Sequence, residues 1–308
     1  MIVKTRSVQK SQFLFSRQRL LLQLLDALGG SVANLDFQKL LFLFSQESPS
    51  SPPYDFIPYK FGAFSFTSYA DRRKLIELGL LVDDEHRWQI TDIGCNAIDR
   101  SADLQLAAFA NRYGTLRGDD LVAETYRCFP YFASRSEIAA RILKGEPAAL
   151  ARIKSSGAGS SKTTVSTIGY EGHTLESYLN VLLRGGITLL CDVRRNAISR
   201  KYGFSKTTLA RCCEAVGIRY VHLPELGIAS EQRQSLDSQL DYDVLFEDYE
   251  LTWLPKQTEA LEKISNWVID KERVALTCFE RVPQQCHRHC VAEALETKFG
   301  RGCSTTHF

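Results

Sequence analysis

The feature that most constrains this chain is an alternation in its second half. Four short apolar runs rich in β-branched residues, "TVSTIGY", "ITLLCDV", "IRYVHLP" and "RVALTCF", alternate with segments of helical period, "HTLESYLNVLLRGG", "SKTTLARCCEAVG" and "CHRHCVAEALETKFG". Runs of that kind suit strands buried on both faces, and the helices between them are long enough to cross over to a parallel neighbour. The pattern predicts an α/β domain over residues 165–308, a Rossmann-like, mostly parallel sheet with helices on both faces. An insert over residues 228–270, carrying Trp253 and Trp267, reads as a lid over a pocket or as plain packing.

The first half is built differently. "SRQRLLLQLLDALGG" sets Leu20, Leu21, Leu24, Leu25 and Leu28 on one stripe, with Ser16 as N-cap and Gly29 as the stop. Helices in "NLDFQKLLFLFSQ" and "TSYADRRKLIELG", then two short strands around the acidic turn of "LLVDDEHRWQITDIG", predict a mainly helical, winged-helix-like recognition domain over residues 1–100. A helical connector follows over 101–153, and "KSSGAGSSKTT", residues 154–164, reads as a Gly/Ser linker. Arg72, Arg73 and Lys74 are either phosphate contacts or a solvated helix face. "FQKLLFLF" and "YKFGAFSFTSYADRRKLIELGLL" resemble the Panacea domain, related to the SocA antitoxin. That resemblance implies DNA binding or recognition of a protein partner.

Composition narrows the setting. The apolar stretch "LLLQLLDALGG" is far shorter than the roughly 20 residues that span a bilayer, and the amino end shows no signal-peptide cleavage pattern. Nine cysteines lack the paired spacing of a secreted disulfide framework. The expectation is a cytoplasmic protein with reduced thiols and no membrane partner. A net charge of +2 leaves a nucleic-acid partner, DNA above all, open.

Ligands of doubly wound sheets bind outside the carboxyl ends of the strands. The unusual polar residues fall there: Tyr170 and Glu171 after the first strand, Asp192, Arg194 and Arg195 at the second, Glu225 after the third, and Glu280 with "CHR" at the fourth. Three chemistries fit "TCFERVPQQCHRHC", residues 277–290. Cys278, Cys286, His287 and Cys290 are zinc ligand types, but structural sites come as two close pairs and the neighbours Cys286 and His287 would point apart, so zinc is not expected. Cys286 at a helix start beside Arg288 would be an activated thiol, although no C-x-x-x-x-x-R phosphatase loop is present. The favoured reading is an anion pocket, in which the helix-start amides, Arg194, Arg195, Ser199, Arg200, Cys286 and Arg288 grip a phosphate.

The acids would supply the chemistry. Asp192, Glu280 and Glu171 would stabilise an oxocarbenium ion or activate water, while His287 or Tyr170 protonates a leaving base. The same acids suit Mg²⁺ for phosphodiester cleavage, and the bland alternative is a structural Asp192–Arg194 ion pair. "TIGYEG", "DVRRNAISRKYGFSK", "GIRYVHLPELG" and "LTCFERVPQQCHR", in that order, resemble the domain of unknown function 488 family, with Ala197 where the family usually carries proline. The resemblance implies an α/β sheet with a shared polar pocket and brings no agreed reaction. The expectation is a nucleic-acid- or nucleotide-directed hydrolase, an N-glycosylase for modified or damaged DNA, needing no resident cofactor. The alternatives are a DNA-binding regulator sensing a nucleotide or oxidant, and an antitoxin-like protein that binds a partner through its amino-terminal part.

Overall fold

The computed structural model describes residues 14–47, 52–99, 103–157, 165–233, 236–299 and 305–308. In the first half, α1 (Ser16–Ala27) buries Leu21, Leu24 and Leu25. Ser16 is its first helical residue and Phe15 takes the cap, while Gly29 and Gly30 turn the chain away at φ of 94° and 78°. There follow β1 (Ser31–Ala33), α2 (Asn34–Glu47), the hairpin of β2 (Ile57–Tyr59) and β3 (Gly62–Phe64), α3 (Phe66–Glu77) and β4 (Arg87–Gln89). β4 pairs antiparallel with β1, and the strand foreseen before the acidic turn is reduced to a Leu81–Ile90 bridge. Then come α4 (Asp92–Asn96), α5 (Leu104–Tyr113), α6 (Gly118–Cys128), α7 (Pro130–Ala133), α8 (Ala139–Ile142) and α9 (Pro147–Ser155). Residues 158–164 of the foreseen linker lie outside the described residues. Among the described residues no helix is long and apolar enough to cross a membrane.

The second half forms β5 (Val165–Gly169), α10 (Leu175–Arg184), β6 (Leu189–Asp192), α11 (Lys206–Ala215), β7 (Arg219–His222), α12 (Gln239–Asp248), α13 (Thr258–Ile269), β8 (Val274–Cys278), α14 (Arg288–Phe299) and β9 (Thr305–His307). All its strand pairs are parallel, in the order β7-β6-β8-β5-β9. Successive strand side chains point to opposite faces. Ile168, Leu190 and Ala275 therefore meet Leu179 and Leu182 of α10 and Leu209 of α11. Val165, Leu189, Cys191 and Leu276 meet Ile264 of α13 and Leu295 of α14. The foreseen α/β architecture is present, with β9 added at one edge.

The two halves pack against each other through α10. Glu176, 1% exposed, accepts from Ser65 Oγ (3.1 Å) and Thr67 N (2.7 Å) at one oxygen and from Thr67 Oγ1 (2.9 Å) at the other. It thereby covers the amino end of α3, a favourable place for a carboxylate. Asn180 Nδ2 donates to the Phe56 carbonyl (2.6 Å), and Tyr131 Oη donates to Asn180 Oδ1 (2.8 Å). Arg72 also turns inward: it donates to the Asp84 and Arg87 carbonyls and lies over Trp88, which leaves Arg73 and Lys74 as the exposed members of that trio.

α2 carries an unusual core residue. Lys39 is 1% exposed, and its Nζ donates to the Ala63 carbonyl at 2.8 Å. Burial pushes its pKa down to about 7 from an ordinary 10.5. Between those values the unfolded chain binds a proton that the folded chain does not, so stability rises with pH through this window. Lys39→Met removes that penalty, worth roughly 5 kcal/mol at most, and orphans the Ala63 carbonyl at about 1–3 kcal/mol. We expect a net gain of a few kcal/mol in urea unfolding below pH about 7, shrinking to a net loss near pH 10.5. A gain that does not vary with pH would refute the buried-charge account.

Candidate functional site

The strand order creates one crevice. From β6 the chain moves outward to β7, and from β8 it moves the other way to β9, so the connections diverge between these adjacent strands. Such a switch point leaves room at the carboxyl edge. A cavity of about 110 Å³ lies there, lined by Tyr170 after β5, Arg194, Arg195 and Asn196 after β6, Ile228 and Arg233 of the insert, Cys278 and Phe279 at the end of β8, and His287 before α14.

Asp192 organises the loop after β6. It is fully buried, and its carboxylate accepts from Arg194 Nε (2.8 Å), Arg194 Nη2 (2.5 Å), the Arg194 amide (3.1 Å) and Tyr220 Oη (2.5 Å). Burial opposes the Arg194 charge, but the Asp192 carboxylate outweighs it and raises the guanidinium above its usual range. Arg194 Nη1 reaches on to the Phe204 carbonyl (2.9 Å), and its guanidinium lies 5.0 Å from the Tyr170 ring centre. That ring stacks on Phe204 at 4.5 Å and 11°. The bland alternative weighed for Asp192, a structural ion pair, describes this geometry.

The other groups divide clearly. Arg195 is exposed, makes only a long bond to the Pro224 carbonyl (3.4 Å), and has no carboxylate partner among the described residues. Its backbone lies against Gly227, where a Cβ would come within 2.0 Å of the Arg195 nitrogen. Glu280 pairs with Arg233 and stands 3.6 Å from Cys278 Sγ. Burial alone would raise the Glu280 carboxyl, but Arg233 beside it brings it below the usual range. His287 is 2% exposed, with Nε2 2.9 Å from the Val193 carbonyl and Nδ1 3.9 Å from Cys278 Sγ. Burial pushes the Cys286 thiol well up, opposite to the activation a helix start would give.

Several foreseen residues point elsewhere. Arg288 is fully buried and donates to the Glu280 (2.5 Å) and Arg281 (3.0 Å) carbonyls and to Thr167 Oγ1 (3.3 Å), so it braces the loop after β8 and does not line the cavity. Ser199 closes its own loop with Ser205, and Arg200 is exposed outside the lining. Glu171 is exposed and accepts from the Arg281 amide (2.9 Å). Arg233, Asn196, Ile228, Cys278 and Phe279 line the cavity without having been assigned to a binding pocket from sequence. Arg233 lies in the polar run "SEQRQSLDS", where no periodicity singles it out.

Removing Asp192 leaves the Arg194 guanidinium buried without its counter-charge. Asp192→Ala is expected to destabilise the fold by about 3–5 kcal/mol and Asp192→Asn by less, read from chemical denaturation. Equal stability of the wild type and the alanine variant would show that the pair is not needed.

The family model "Domain of unknown function DUF488" matches residues 174–295. No curated protein matches the chain significantly.

Proposed function

We propose that the carboxy-terminal half, whose residues 174–295 match the DUF488 model, is a hydrolase acting on nucleotides or nucleic acid, gripping a phosphate at the carboxyl edge of its sheet. The observation that carries this reading is the convergence of Arg194, Arg195 and Arg233 on one cavity that also holds Tyr170 and His287. Guanidinium groups suit bidentate phosphate binding, and Arg195 is the one whose charge no described carboxylate offsets. Asp192 acts as a positioning residue for Arg194 in this scheme. Glu280, which is not itself in the cavity lining but pairs with Arg233 that is, takes the acid–base role: a phosphate that draws Arg233 away removes the group that depresses its carboxyl, and burial then raises it toward the range of a general acid. Base release from modified or damaged DNA is the finer form of the proposal, with Glu280 protonating the leaving base.

The amino-terminal order of helix, strand, helix, hairpin, helix and a strand that pairs back on β1 departs from a plain winged helix by the inserted β2–β3 hairpin. The β1–β4 pair beside α3 supports a winged-helix-like reading. Such modules place the amino end of the recognition helix in the major groove. Here that end of α3 lies under Glu176, so DNA contact falls to the exposed Arg73 and Lys74 as phosphate contacts.

Calorimetry with mononucleotides and a short DNA strand tests the grip. Arg195→Ala should weaken binding by about tenfold or more, with a shallower salt dependence. Mass spectrometry of small molecules released from unmodified and base-modified DNA, with Glu280→Gln alongside, tests the reaction. Intact DNA with unaltered nucleotide binding would confine the domain to ligand sensing, and no nucleotide or DNA binding would sink the reading.

A further inference from the structure

Beside the cavity lies a second grouping, of which Cys278 and His287 reach the lining and only His287 enters the hydrolase reading. Cys278, Cys286 and His287 are all buried, and their Sγ and ring-nitrogen atoms lie within 4.8 Å of one another. The sequence argument against zinc was that Cys286 and His287, as neighbours, point apart. The backbone removes that objection: after the tight turn Pro283–Gln285, Cys286 is extended (φ −145°, ψ 125°) and α14 begins at Arg288, so both side chains reach Cys278 at the end of β8.

The histidine is oriented as a ligand. Its Nε2 is 2.9 Å from the Val193 carbonyl, an acceptor that fixes the proton on that nitrogen and leaves the Nδ1 lone pair facing Cys278 Sγ at 3.9 Å. Metal-bound histidines commonly hold their other N–H in this way. Zinc–sulfur and zinc–nitrogen bonds of about 2.3 and 2.0 Å in a tetrahedron set S–N at about 3.5 Å, so the 3.9 Å Cys278–His287 contact needs only a small contraction and, with all three atoms within 4.8 Å, no pair needs more than about 1.3 Å. Charge also balances. Two thiolates and a neutral imidazole cancel a divalent cation, and the neighbouring Glu280–Arg233 pair is itself neutral.

We propose that Cys278, Cys286 and His287 bind a divalent, thiolate-preferring cation of the zinc type, with its fourth position open toward the cavity lined by Arg195 and Arg233. Binding releases the two thiol protons to solvent. Three protein ligands with an open position are the catalytic form of such a site, and a water there would stand beside the phosphate-binding arginines. The proposal goes beyond the phosphate-binding hydrolase and holds or fails without it.

The test is cobalt substitution of the full-length chain, prepared under reducing conditions. About one Co²⁺ per chain should bind, with thiolate-to-cobalt charge-transfer bands and tetrahedral d–d bands that Zn²⁺ removes. Cys278→Ser and His287→Gln should each lower Co²⁺ affinity at least about tenfold, whereas Cys290→Ser, outside the cluster, should not. Adding azide, which binds an open metal position directly, should shift the d–d bands, and bands that ignore it would overturn the open fourth position. Binding without a charge-transfer band, well below one equivalent, or a Cys278–Cys286 disulfide in the reduced protein would overturn the site. If the cluster variants fail to fold, the wild-type spectrum decides alone, since oxygen and nitrogen ligands give no thiolate band. An intact cobalt site in a chain that binds no nucleotide would sink the hydrolase reading and leave this one standing.

Discussion

The carboxyl edge of the sheet depends on the buried pair of Asp192 and Arg194. Strand β6 is interior, flanked by β7 and β8, and Asp192 at its end is fully buried, so its charge must be neutralised where it stands. The pair does this and also fixes the loop. Arg194 spends one nitrogen on the Phe204 carbonyl, which sets Phe204 beneath Tyr170. The Arg194 carbonyl lies 2.8 Å from His222 Nε2, and the preceding Val193 carbonyl orients His287. One ion pair thus registers loops from four strands.

Close backbone approach supplies the remaining support. Gly169 ends β5 where a Cβ would lie 1.8 Å from the Glu280 carbonyl oxygen, so the loop after β8 crosses directly over the first strand. Arg288 locks that crossing by donating to the Glu280 and Arg281 carbonyls from within the core. A guanidinium used this way satisfies two turn carbonyls that would otherwise lose their hydrogen bonds on burial. Its charge is thereby invested in loop shape and not in ligand binding.

The sheet was legible because its signal is local. Each of β5 to β8 is an apolar run bounded by turns, and the helices between them carry their own period. β9 was not, being three polar residues that gain their strand geometry only by pairing with β5. The position of the cavity follows from topology, and Tyr170, Arg194, Arg195 and His287 lie on it. What sequence cannot fix is the direction in which a side chain turns at an element's end. Arg194 and Arg195 are adjacent, yet one is buried against Asp192 and the other faces solvent; Arg288 starts a helix, yet finds its acceptors inside. The convergence of Cys286 and His287 rests in the same way on one extended residue between a tight turn and a helix.

The same reasoning bears on how the two halves communicate. Tyr170 in the cavity leads through a short turn to Thr174, the cap of α10, whose hydroxyl donates to Asp55 at 2.7 Å, and then to Glu176 under α3. The loop after β6 also reaches across: Tyr202 Oη donates to the Phe66 carbonyl at 3.3 Å. Glu176 pays for its burial only while Ser65 and Thr67 remain in place, because desolvation drives its carboxyl upward and their donors oppose it. Displacing α3 would strip those donors from a buried acid and loosen α10 at the end nearest Tyr170. The amino-terminal half therefore does not line the cavity but packs against α10 and the loop after β6, neighbours of the residues that do.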